Sequence, residues 1–274
     1  MFRPSRLSRL AGVAAVALTA SGGFAAAAPK LKEAPNLTAR PVDQLSVSGN
    51  ACGPAALLTA FRFGSAHWQR AANGVPGNDD HSQLRSILHT RGRIPSAHLQ
   101  GRMRWSRDGV NLADLVDIAN EMCAGHDLPR LDQEIFFTRP GEDSRKLLAR
   151  VHRTLATSLD KGFPAVLSIR RFAHRNPDDG AAGWVAVEGH FVTMIALPRK
   201  LHHLDRSFPV TYLDPWGAKR ADGWIAIPDR PILAPEGTES PCLEAIFPAA
   251  QVGKKAIRKG EFTALTLAGA ISRR

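Results

Sequence analysis

With 274 residues, 44% of them hydrophobic, the chain can bury a sizeable core and is excluded from the disordered class. Its net charge of +11 is spread as single or paired Arg and Lys without a long basic run. That dispersion argues against nucleic-acid binding and fits solubility or attraction to anionic surfaces. Arg3, Arg6 and Arg9 precede an apolar run from Leu10 to Ala20, and small residues follow up to Ala28-Pro29. This is the pattern of a signal peptide over residues 1–28, cleaved near Ala27 or Ala28. The run is too short for a comfortable membrane span, so the expectation is a secreted or periplasmic protein with no stable membrane insertion after cleavage. Removing three arginines and no acids takes the net charge from +11 to +8.

Residues 29–43 read as a linker or extended arm, and 44–274 as one domain. A polar loop, Gln44 to Asn50, delivers the chain to a densely apolar helix opened by Cys52-Gly53-Pro54 and ending near Gly64, with Asn50 as its expected cap. Gly74 to Asp80 is a loop, His81 to Thr90 a short helix, and Gly92 to Gly109 a surface loop. Asn111 can cap a helix running to Ala124, with Leu112, Leu115, Val116, Ala119 and Met122 as its stripe. Ile135 to Thr138 is a short strand. Ser144 to Lys161 is the clearest amphipathic helix, stopped at Gly162. Strands are expected at Pro164–Ile169, Trp184–Val187, His190–Leu197, Pro209–Leu213, Gly223–Ile227 and Phe262–Leu267, with a turn at Asn176–Gly180. Helices early and strands late predict an α+β fold.

Three cysteines, Cys52, Cys123 and Cys242, match no zinc spacing. Two arrangements remain open for the later pair: a Cys123–Cys242 bridge, or two isolated buried thiols.

Cys52 stands where the free N–H groups and positive dipole end of its helix favour a thiolate. Thiol catalysis also needs a base and a group that orients it. Of ten histidines, His190 alone opens a strongly apolar strand, directly after Gly189. A polar ring there requires a hydrogen-bonding reason, whether structural or catalytic. Asp214 ends the preceding run Tyr212-Leu213 and starts Pro215-Trp216-Gly217, so it can open a turn, orient His190, or do both. Gln44 is the first candidate for a side-chain donor to an oxyanion, with Asn50 as the second.

The Cys-Gly-Pro-Ala-Ala-Leu helix start, the Gly-His-Phe-Val strand and the Leu-Asp-Pro-Trp-Gly strand end resemble, in that order, the C39-like branch of the papain-like cysteine peptidases. The resemblance spans Gln44 to about Ile227. It implies a papain-like fold, with the Cys helix packed on an antiparallel sheet that carries His and Asp. It implies Cys52 as nucleophile, His190 as base and Asp214 as orienting acid, acting on a peptide or protein substrate without a metal or organic cofactor. In that family the oxyanion Gln lies closer to the Cys than Gln44 does. Two further functions fit the same residues: a cell-wall amidase or acyl transferase, and an inactive binding module.

Overall fold

A computed structural model describes residues 30–175 and 183–274. The expected signal peptide and the turn Asn176–Gly180 lie outside the described residues. The helices are α1 (Cys52–Phe63), α2 (Ala66–Asn73), α3 (Asp80–Ile87), α4 (Leu112–Ala124) and α5 (Ser144–Asp160). The strands are β1 (Leu31–Glu33), β2 (Trp105–Ser106), β3 (Gly109–Val110), β4 (Asp132–Ile135), β5 (Val166–Arg175), β6 (Gly183–Pro198), β7 (Ser207–Asp214), β8 (Lys219–Ala226), β9 (Leu243–Ile246) and β10 (Phe262–Ser272).

The fold is mixed α+β. Six strands, β5 to β10, pair antiparallel with their chain neighbours, and β10 closes on β5 to form a barrel. Closure removes the edges that an open sheet would leave unpaired. β1 extends β6 and β4 extends β10 on the outside of that ring.

Two apolar cores meet along β6. One joins the strands to α5, with Leu147, Val151 and Leu155 packed into the cluster of Leu167, Leu213 and Leu267. The other joins α1 to α4 through Leu57, Phe61, Trp68, Leu84 and Leu115, and takes in Phe191 of β6. Thr193 fixes the seam: its hydroxyl donates to Ala56 O of α1 at 2.7 Å. Trp68 closes the far end, with its indole donating to Lys161 O at 3.0 Å and its ring 4.9 Å from that of Phe163.

Several expectations are corrected. Residues 30–43 are no free linker, because β1 pairs with β6, and Ala34 and Val42 are buried. Asn50 does not cap α1; Ala51 occupies that position with no side-chain bond. The two strands expected around Glu188-Gly189 are one strand, β6, with a bulge at Val187 opposite Arg171–Phe172. The loop expected over 92–109 contains a small hairpin, β2–β3. α2 and β9 were not anticipated, and β4 lies three residues before the strand expected at Ile135–Thr138. Cys123 and Cys242 are unbridged, buried in separate clusters.

Candidate active site

α1 is apolar on nearly every face, so it can only exist as a helix sunk between the cores. Its first residue, Cys52, is thereby held against β6 with 3% of its surface exposed. Gly53 makes the approach possible. A Cβ there would stand 2.4 Å from Val110 Cγ1 and 3.3 Å from the Phe191 ring.

β6 carries His190 beside this helix mouth, and the neighbouring strand β7 ends at Asp214. The imidazole Nε2 lies 2.8 Å from Asp214 Oδ1. Asp214 Oδ1 also accepts the Trp216 N–H at 2.8 Å, so the carboxylate shapes the Asp-Pro-Trp turn and holds the ring at once. With Nε2 committed, Nδ1 is the ring atom left to Cys52. Burial pushes His190 down, but the hydrogen-bonded Asp214 carboxylate and the neighbouring Cys52 outweigh it. The net effect raises the imidazole from 6.5 to about 10. Cys123 and Cys242 differ: burial without a cationic partner pushes both up to about 12.

Two amides flank the site. Asn50 lines the cleft with Cys52, and its Oδ1 accepts the Cys52 N–H over a long 3.4 Å. The Trp105 indole donates to Asn50 O at 2.9 Å and fixes this position. Gln44 lies outside the cleft lining, in a short 3-10 turn over Gln44–Ser46. Its N–H donates to Pro215 O at 2.9 Å, next to Asp214. Its Oε1 is buried with no partner among the described residues.

A supporting residue was missed in the sequence. Asp43 Oδ1 accepts from Leu45 N at 2.9 Å and from Gly217 N at 3.1 Å, strapping the N-terminal arm onto the Asp214 turn. Gly217 has φ +80°, which a side chain would strain. An Asp one residue before a candidate Gln was the available signal.

The cleft beside Cys52 has a volume of about 440 Å³. It runs between the β2–β3 hairpin and the barrel, where Ser168, Arg170 and Gly189 form part of its wall. The β10 bulge at Ala268 turns that residue into the same wall.

No protein-family model matches this chain, and no curated protein matches it. The site therefore rests on its own geometry. Chemically, it joins a buried thiol to an imidazole whose protonated form is stabilised and whose orientation a carboxylate fixes. Among the described residues no helix is long and apolar enough to cross a membrane.

Proposed function

We propose that the chain is a thiol hydrolase with a papain-like fold and a C39-like site, acting as a cysteine peptidase on peptide or amide bonds. The observation that carries this reading is the 2.8 Å contact between His190 Nε2 and Asp214 Oδ1, with Cys52 and His190 lining the same cleft. An imidazolium stabilised beside a sulfur is the condition under which the thiolate form persists at neutral pH.

The Cys52 thiolate attacks the carbonyl carbon, forming a C–S bond and an oxyanion. As the oxyanion collapses, the C–N bond breaks and His190 Nδ1–H gives its proton to the departing nitrogen. Water then attacks the thioester carbon and yields its proton to Nδ1. The C–S bond breaks, the acid product leaves, and thiolate and imidazolium are restored. No metal or organic cofactor is needed in this sequence.

The oxyanion is met by the Cys52 N–H, only loosely held by Asn50, and by a side-chain amide. Gln44 is the amide proposed. Its backbone bond to Pro215 O holds it beside the Asp214 turn, and its side-chain NH2 is the donor this role uses. In this scheme Gln44→Ala lowers kcat more than KM, whereas Asn50→Ala chiefly loosens the helix mouth. The reverse pattern transfers the role to Asn50.

The test of the function is hydrolysis of a broad fluorogenic peptide library by the full chain and by Cys52→Ala. Turnover that disappears in the folded variant supports it. Turnover that survives, or no turnover by either protein on any peptide, contradicts it. The signal peptide expected over 1–28 makes export part of the same proposal.

A further inference from the structure

We propose that the Cys52 cleft takes a substrate bearing a carboxylate close to the scissile carbonyl, received by Arg170 with Arg102 as a second cation. This rests on the reading of Cys52 as nucleophile. The register of the barrel puts Arg170 there. Ile169 faces the core, so its neighbour Arg170 faces outward, directly opposite Gly189 and one residue from His190. Because Gly189 has no side chain, the arginine crosses it, with Nε 3.9 Å from where a Cβ would stand.

The guanidinium of Arg170 has no carboxylate partner among the described residues. Glu188, which follows in register opposite Arg171, accepts the Gly253 N–H at 2.7 Å. Arg102 reaches the same cleft from the other lobe and holds only Ser106 Oγ, at 3.4 Å. A third arginine of the lining, Arg104, pairs through Nη1 with Glu121 at 2.6 Å, while its buried Nε has no partner among the described residues. Against the two uncommitted cations the lining offers one carboxylate, Asp108. Exposed Met103 and Ile135 add apolar wall between the charges. An exposed guanidinium without a partner among the described residues, in the wall of the cleft that Cys52 and His190 also line, is suited to fork onto a carboxylate. It also raises the local concentration of anionic ligands.

The experiment compares alkylation of Cys52 by iodoacetate and by iodoacetamide, on the full chain at low ionic strength, with the modified peptide quantified. Both reagents attack the same thiolate, so the ratio of their rates cancels the thiolate fraction and reports attraction for the carboxylate. The expected ratio exceeds that of free cysteine and falls about 3- to 10-fold in Arg170→Gln, less in Arg102→Gln. Arg170→Lys keeps most of it, Arg199→Gln leaves it unchanged, and added salt lowers it. A ratio unaltered in Arg170→Gln, Arg102→Gln and their double variant overturns the proposal. If Cys52 reacts no faster than free cysteine yet the ratio still depends on Arg170, anion recognition stands and the hydrolase reading falls. If neither reagent modifies Cys52, both fall.

Discussion

His190 and Asp214 meet through a single 2.8 Å contact between Nε2 and Oδ1, and both side chains are buried, at 7% and 3% exposure. Asp214→Asn keeps an oxygen for the Trp216 N–H but removes the charge behind the ring. Its expected effect is a loss of about 10- to 1000-fold in kcat with little loss of stability. Asp214→Ala also orphans the buried ring and the turn, and should cost about 2–4 kcal/mol in urea unfolding.

His190 also sets a pH dependence of stability. Its imidazole rises from 6.5 to about 10 on folding, so the folded state binds the proton more tightly. That contribution is fully present below pH 6.5 and is lost as pH climbs through about 10. Relative to His190→Gln, the wild type should therefore lose its stability advantage across that window. Denaturant titrations at its two ends and its middle check this.

Gly53 is expected to tolerate no side chain. Gly53→Ala puts a carbon 2.4 Å from Val110 Cγ1 and 3.3 Å from Phe191, the neighbour of His190. Overpacking of this kind costs about 1–3 kcal/mol. Activity should fall alongside melting temperature, and Val110→Ala should restore part of both by emptying the clash.

A second test concerns Glu134, which receives Arg150 at 2.6 Å, Arg139 at 2.9 Å, and Arg274 and Thr154 at 3.0 Å. Burial pushes this carboxyl up, but its bonds to Arg150 and Thr154 and the nearby cations hold it below the usual range. It stabilises the fold above the unfolded carboxylate value of 4.5, and the contribution is lost as pH falls through its lower folded value. Glu134→Ala strips Arg150 Nη1 of its buried partner while Glu142 and Phe137 O still hold Nε and Nη2, and should cost about 1–3 kcal/mol at neutral pH. Thermal melts down to acid pH should show the gap to wild type closing.

The sequence was most legible where local chemistry decides structure. Asn111 caps α4, Gly64 follows α1, and the stripe Leu147, Leu148, Val151, Leu155, Leu159 is the buried face of α5. It was least legible where tertiary pairing overrides pattern. β5 runs on through Arg170 and Arg175 because the outer face of a closed barrel is wet, and charged residues there hide a strand. β1 and β9 are too short to show alternation. Cys52 and Asp214 stood out because each stands at the end of an apolar element, and His190 because it opens the apolar run to Leu197, although that run is the second half of β6. Which amide serves them did not, since Gln44 is carried to Pro215 by a strap that only folding creates. Arg170 gave no signal at all, because the role proposed for it depends on Gly189 on the adjacent strand.

The most direct measurement is the rate of iodoacetamide labelling of each cysteine, resolved by peptide mapping from pH 5 to pH 9. The expected result is labelling of Cys52 far faster than that of Cys123 or Cys242, and its collapse in His190→Gln. Cys123 and Cys242, pushed up to about 12, should stay inert. Labelling of Cys52 that is equal to theirs, or indifferent to His190→Gln, would contradict the pairing of this sulfur with this imidazole.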